Sequence, residues 1–452
     1  MAPPSVTIIE EGRITVPPAA ALSEPALFKL SPLDAQWITL PLIQRVLVFD
    51  AGAGAAIPPF ESVVASLRAS LAETVARLLP LARRIVFLPS SGEAAIDCSE
   101  GGVAGGVRFV VAECGDADAA RVAGDADHDV GLMERLVPVL DADALPAETM
   151  AAQVTRLGGG VAVGVALHHA VVDGRSVWRF FEAWAAACRG GDAWSAAPGL
   201  MFDRAAVALP GGEELARTVL RVHAPNLPVA TVPKFLVEDR LKLSRRTFTV
   251  ASAQIHRLKQ RIAGALMASP LPSSFVALSA LAWVSFVRSK NSAGAIAADD
   301  EVYLFFFIDC RGRRAAFDPP VEDNFFGTCI SGCLAVATAR DLLSDDGLVT
   351  AAAAVQGEVR RAAEDPLAGW DWMSLLSRIS LHRLVNMAGS TRLPAYEAAD
   401  FGWGPPSRTE LVTMNHDGQV VLVAAKCGGG VQASVSLHPA HMDAFKSHFE
   451  SY

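Results

Sequence analysis

The stretch GVALHHAVVDGRSVWRFF (164–181) decides how this chain is read. An apolar run ends in two adjacent histidines, followed by an aspartate, a glycine and an aromatic-rich segment. Val161, Val163, Val165, Leu167 and His169 share one face of the predicted strand, and Ala162, Gly164, Ala166 and His168 share the other. After Gly174, the residues Val177, Phe180, Phe181, Trp184 and Cys188 fall on one helical stripe. His169 is thus expected near the end of a rigid strand, and Asp173 in the tight turn that opens a helix. Such a place suits a catalytic base, which needs a fixed backbone, a pKa near neutral and a fixed tautomer. It equally suits a core histidine followed by an aspartate N-cap. A metal site fits poorly, because the two histidines lie on opposite faces and no clear third ligand stands nearby.

The rest of the chain sets bounds. At 452 residues it is too long for one compact core, so two domains are expected. Apolar residues make up 51% and charged residues 19%, a globular composition with a large interior. The net charge is 39 − 48 = −9, with no block of Lys or Arg. That argues against nucleic acid and membrane surfaces as partners, and leaves room for a local basic pocket. The seven cysteines are scattered and odd in number, and Cys329 and Cys333 have no second pair at zinc-binding spacing. Reduced thiols and a cytoplasmic setting are expected. The first residues, MAPPSVTIIEEGRITV, hold neither a basic nor an apolar leader region, so no secretion signal is expected. The uncharged run 262–287 is long enough to span a bilayer, but Pro270, Pro272, Ser273 and Ser274 break it. It reads as a loop followed by a buried helix capped by Ser273 or Ser274.

Strand-like and helical stretches alternate. FESVVASLRASLAETVARLLPLARRI (60–85) has helical spacing with Pro80 near its end, and GVRFVVAEC (106–114) reads as a strand. The segment 188–218, rich in Gly, Ala and Pro, lacks a clear period and reads as the crossover between two halves. Beyond it come a strand and helix (245–264), a buried strand in DEVYLFFFIDCRGR (300–313), and a hairpin around the three glycines of 428–430. The predicted class is α/β, with an N-terminal domain over 1–190, a crossover linker over 191–225 and a C-terminal domain over 226–452.

Two motifs point to a family. His169-Ala170-Val171-Val172-Asp173-Gly174 matches HxxxDG, and Asp400-Phe401-Gly402-Trp403-Gly404 is an unaltered DFGWG. With both in order and at the expected separation, the chain resembles the plant BAHD acyltransferases. The similarity extends over LSPLDAQWITLPLIQRVLVF (30–49) and DCRGRRAAFDPPVEDNFFGTC (309–329), and over MFDR (201–204) and AGSTRL (388–393). These are most similar to the flavonoid, anthocyanin and phenolic glucoside malonyltransferase branch. Phe325 and Thr328 stand where that branch has Tyr and Asn in YFGNC, and Pro405 follows DFGWG where a Lys or Arg is usual.

The resemblance implies two chloramphenicol-acetyltransferase-like domains, each a mixed sheet with helices, around a central solvent tunnel. It implies an acyl-CoA, here malonyl-CoA, as co-substrate, with no permanently bound cofactor and no metal. His169 would be the general base, and a sugar hydroxyl of a flavonoid or phenolic glycoside the acceptor. Asp173 would turn away from the tunnel and form a buried pair with Arg311. The coenzyme would meet Lys259, Ser273 and Ser274, and the acyl and acceptor groups Arg175, Arg392, Ser390 and Thr328. DFGWG would be structural, shaping the tunnel wall or the coenzyme side. The alternative inside the class is a hydroxycinnamoyl-CoA transferase acting on a phenolic, alcohol or amine. A monomer is expected, its partners small molecules alone.

Overall fold

A computed structural model describes residues 5–16, 27–54, 56–99, 105–124, 126–191, 199–233, 240–266 and 270–452. Two six-stranded sheets and one four-stranded sheet organise them. The first large sheet runs in the order Thr7–Ile14, Val107–Asp118, Met150–Gly158, Gly160–Leu167, Ile43–Asp50, Arg408–Leu411. It is antiparallel except where Val107–Asp118 pairs in parallel with Met150–Gly158. The second runs Ser244–Val250, Val431–Leu437, Gln419–Ala424, Leu384–Gly389, Glu301–Asp309, Ile330–Thr338, with parallel pairs on both sides of Leu384–Gly389. The small sheet, Leu27–Lys29, Glu93–Asp97, Arg84–Leu88 and Ala147–Glu148, is antiparallel throughout and gave no clear signal in the sequence.

Both large sheets are mixed, as the α/β reading expected, and helices cover them. On the first, Phe60–Arg77 packs against Gly174–Cys188, where the Trp184 Nε1 donates to the Leu67 carbonyl at 3.2 Å and to the Ser70 hydroxyl at 3.1 Å. On the second, Ser274–Ser292 is buried almost along its length, including Trp283, Phe286 and Val287. Its N-cap is Ser273, whose hydroxyl accepts from the Val276 amide at 3.1 Å. The long uncharged run is therefore core helix, and among the described residues no helix is long and apolar enough to cross a membrane.

Two features depart from the linear reading. Starting in the stretch 188–218 read as irregular and running past it, Gly212–His223 is a helix, burying Ala216, Val219 and Leu220. Its sequence signal was the charge order: Glu213 and Glu214 in the first turn and Arg221 in the last suit the helix dipole. The other departure is topological. Arg408–Leu411, late in the chain, is the edge strand of the first sheet, antiparallel to Ile43–Asp50.

The DFGWG stretch leads into that strand. The Asp400 carboxylate accepts from the Gly402 and Gly404 amides at 2.9 and 3.0 Å, and both glycines have positive φ, +109° and +99°. A side chain at either position would strain the turn. The turn sinks Phe401 and Trp403 onto Phe49, at centroid distances of 6.0 and 5.9 Å, and brings Phe401 to 5.0 Å from Trp184. Because these rings enter the core behind the helix Gly174–Cys188, the motif forms no part of the tunnel wall expected of it. Its work is to tie the C-terminal part of the chain to the first sheet.

Removing that anchor tests the assignment. Phe401→Ala is expected to destabilise the protein by about 3–5 kcal/mol, the usual cost of truncating a fully buried Phe. Chemical denaturation of the purified chain measures it, and a loss below about 1 kcal/mol would contradict the anchoring role.

Candidate active site

A cavity of about 1750 Å³ passes between the two halves and is lined from both. His169 borders it from the turn that follows the strand Gly160–Leu167. Its neighbour His168 is buried, and its Nδ1 accepts from the Ala170 amide at 3.2 Å. Burial keeps both rings neutral, pushing His168 down to about 3 and His169 down to about 4, the latter against the pull of Asp173. The Nδ1 of His169 is buried and meets no group but its own backbone carbonyl, so the open edge of the ring is the one that carries Nε2. The indole of Trp37 lies flat on this imidazole, with centroids 3.5 Å apart and planes within 6°.

The backbone of the turn is held from behind. Asp173 is fully buried and caps the helix, its Oδ1 accepting from the Ser176 amide at 3.0 Å. Its Oδ2 accepts from the Cys329 amide at 3.1 Å and lies 2.8 Å from the Arg311 Nη2. Arg311 also donates to the carbonyls of Phe325 and Gly327 and to Asp309, at 3.0, 2.8 and 2.9 Å. Burial works against the Arg311 charge, yet Asp173 and Asp309 hold its pKa above the ordinary value. Two further contacts fix the turn. The Thr328 hydroxyl donates to the His169 carbonyl at 3.0 Å, and Arg204, the last residue of MFDR, donates to the Val171 carbonyl at 3.0 Å.

Other residues singled out in the sequence fall in different places. Lys259, on the helix Ser252–Leu266, borders the cavity, as do Ser273 and Ser274 at the start of their helix. Ser390 and Arg392 border it too, just after the strand Leu384–Gly389. Arg392 is exposed, and among the described residues no carboxylate pairs with it. Arg175 borders the cavity but is engaged, 2.8 Å from Asp309 and 3.5 Å from Asp323. Thr328 does not line the cavity: it is fully buried, with its hydroxyl spent on the His169 backbone. Among the described residues no three His, Cys, Asp or Glu side chains are grouped to hold a metal ion.

Several cavity residues escaped the sequence reading. Arg179 and Glu182 lie one and two turns beyond Arg175, a spacing that marks a second, polar face on the helix Gly174–Cys188. Burial lowers the pKa of Arg179 and raises that of Glu182, so neither charge is as favourable there as in water. His438 caps the helix Pro439–Glu450 and also borders the cavity, and its amide donates to Asp417 at 2.8 Å. Asp417 in turn pairs with the fully buried Lys290 at 2.7 Å. The signal was local: a proline directly after a strand-ending histidine opens a helix. Trp37 and Trp372 had none, because nothing linear brings Trp37 to His169 or Trp372 to Trp37.

The Transferase family matches residues 4–452 of this chain. The chain is 28% identical over 467 residues to phenolic glucoside malonyltransferase 2 of Arabidopsis thaliana, covering 98% of each chain. It is 24% identical to that plant's coumaroyl-CoA:anthocyanidin 3-O-glucoside-6''-O-coumaroyltransferase 2, covering 97% of this chain and 96% of the relative. Among solved structures, vinorine synthase superposes with a TM-score of 0.72 at 19% identity, covering 97% of this chain and 96% of that one.

The Asp173–Arg311 pair carries a direct test. Arg311→Ala leaves a buried carboxylate uncompensated and should cost about 3–5 kcal/mol. Asp173→Asn keeps the cap and shape and should cost less, because Asp309 still answers the guanidinium charge. Thermal melts that leave Arg311→Ala at wild-type stability would show that the pair does not support the turn.

Proposed function

The chain belongs to the Transferase family, the BAHD acyltransferases, and from that premise we propose that it moves an acyl group from coenzyme A to an acceptor hydroxyl with His169 as general base. The observation that carries the reading is a neutral imidazole, open along its Nε2 edge to a cavity reached by both halves and mounted on a locked turn. In this reading Nε2 takes the proton from the acceptor O–H as the oxygen attacks the thioester carbonyl. The C=O electron pair moves onto oxygen and returns as the C–S bond breaks. The imidazolium then passes its proton to the departing thiolate sulfur, so the base is regenerated. No acyl-enzyme is required, and burial raises the thiols of Cys98, Cys310 and Cys333 to about 12, far from nucleophilic.

Positive and dipolar groups along the cavity support a site for the coenzyme's phosphates. Lys259, the Ser273-capped helix start and the His438-capped helix start all border it, and helix N-termini favour anions. We assign malonyl as the acyl group and a sugar hydroxyl of a flavonoid or phenolic glycoside as the acceptor. A malonyl carboxylate needs a cation, and Arg392 is better suited than Arg175, whose charge is already answered by Asp309 and Asp323. A specific observation favours the hydroxycinnamoyl alternative: Phe305, Phe307 and Trp372 line the cavity beside Trp37 and offer faces to an aromatic acyl chain.

His169→Ala is expected to lower turnover by about 10²–10⁴-fold while preserving the thermal melt, since a general base contributes that much. Retention of more than about a tenth of the wild-type rate would remove His169 from the base role. The pH profile carries the sign of the burial effect. A base whose pKa lies at about 4 stays unprotonated well below 6.5, so the acid limb of kcat/KM should lie nearer pH 4 than 6.5.

Donor choice separates the two arginines. Arg392→Leu should reduce malonyl-CoA use relative to acetyl-CoA by about one to two decades, the equivalent of a charge-assisted hydrogen bond of about 1.5–3 kcal/mol. Arg175→Leu should leave that ratio nearly unchanged. Thiol release from the two donors measures it, and wild-type preference for coumaroyl-CoA would select the alternative donor.

A further inference from the structure

A base that acts through Nε2 needs its ring plane held, and usually a carboxylate or carbonyl on Nδ1 holds it. No carboxylate does so here. The oxygens of Asp173 are committed to the Ser176 and Cys329 amides and to Arg311, and the buried Nδ1 of His169 meets no group but its own backbone carbonyl. The contacts from Thr328 and Arg204 fix the backbone of the turn, but rotation about the Cβ–Cγ bond is not restrained by backbone contacts. What lies on the ring is the Trp37 indole, parallel to within 6° at 3.5 Å between centroids.

Trp37 is itself firmly seated. It follows the short helix Pro32–Ala35, whose Ser31 and Asp34 cap each other's backbone groups, and its amide donates to the Asp34 carbonyl at 3.0 Å. The adjacent Gln36 donates to the Trp370 carbonyl at 2.9 Å across the cavity wall. Trp372 and Phe307 flank the indole at centroid distances of 4.7 and 5.7 Å. The indole therefore has little freedom to tilt, and the imidazole stacked on it has little more.

We infer that Trp37 is a positioning residue: its indole face holds the plane of the His169 imidazole with Nε2 toward the cavity, in place of a carboxylate on Nδ1. The same face favours the imidazolium that exists between proton abstraction and proton return, because a π cloud attracts a cation set over it. The ring thus steadies the base in both protonation states without adding a charge that would bind the resting imidazole as a salt bridge. The inference rests on the general-base reading of His169.

The test compares Trp37→Phe, which keeps a flat face in the slot, with Trp37→Leu, which fills it without one. Both are assayed as the full chain, with the acyl-CoA and phenolic glucoside that the wild type turns over fastest. Trp37→Leu is expected to lower kcat by about 10- to 100-fold, part of what a positioned base contributes, with KM for donor and acceptor within about threefold. Trp37→Phe should recover kcat to within about fivefold of wild type, because it restores the stacked face. Should the Leu variant melt below the assay temperature, Trp37→Met replaces it with the same expectation. Three results overturn the inference: a flat-face-free variant with wild-type kcat, a rise in KM at unchanged kcat, or a Phe variant as slow as its aliphatic counterpart. The general-base reading fails separately, when His169→Ala stays active. An inactive His169→Ala beside a fully active Trp37→Leu defeats the positioning role alone.

Discussion

The structure turns on one buried ion pair. Asp173 comes from the turn after the central strand of the first half, and Arg311 from the loop that leaves the second sheet at Asp309. Both side chains are fully removed from water. An isolated charge at that depth would be prohibitive, so each partner makes the presence of the other obligatory. The surrounding groups complete the satisfaction of both: two amides on Asp173, and two carbonyls and a second carboxylate on Arg311. The contact therefore joins the two halves beside the turn that carries His169 into the cavity between them.

That commitment has a consequence for the chemistry. A carboxylate already shared between a helix cap and a guanidinium has nothing left for the Nδ1 of the histidine four residues earlier. Support of the turn and orientation of the ring become separate jobs, done by different parts of the chain. The turn is held from the second half, through Arg311 and Thr328, and from the crossover, through Arg204. The ring is faced by Trp37, from the segment that precedes the first half's edge-paired strand Ile43–Asp50. Burial does the remaining work by keeping the imidazole neutral, the state in which it can accept a proton.

The cavity is also electrostatically uneven. Its wall includes Lys259 and the N-termini of two helices, while the polar face of the helix Gly174–Cys188 presents Arg175, Arg179 and Glu182, with Asp309 nearby. On that face the charges nearly cancel in pairs. Arg392 stands apart, exposed and without a carboxylate partner among the described residues. A dicarboxylic acyl group and an aromatic one would thus be sorted by different walls, the first by this arginine and the second by the rings around Trp37 and Trp372.

Much of this was legible in the linear chain. Alternation over 161–169 and helical spacing after Gly174 placed the histidine at a strand end and the aspartate at a helix start, because those periodicities are set by backbone geometry alone. Ser273 was readable as a cap for the same local reason. The pairing of Asp173 with Arg311 came from family likeness rather than spacing, and in the folded chain the two side chains lie 2.8 Å apart. Tertiary structure alone decided the rest. Thr328 looked like a pocket residue but turned its hydroxyl to a backbone carbonyl, and Arg175 looked like a free cation but met two aspartates from a distant loop. The DFGWG rings met Phe49 in the first half's core, and Arg408–Leu411 joined its sheet, although both lie more than 350 residues from these partners. Trp37 reached His169 across 132 positions of sequence, with no periodic signal to announce it. Local order follows from the backbone's few allowed conformations, whereas which side chains meet across the cavity depends on how two sheets dock, and no short stretch of sequence encodes that.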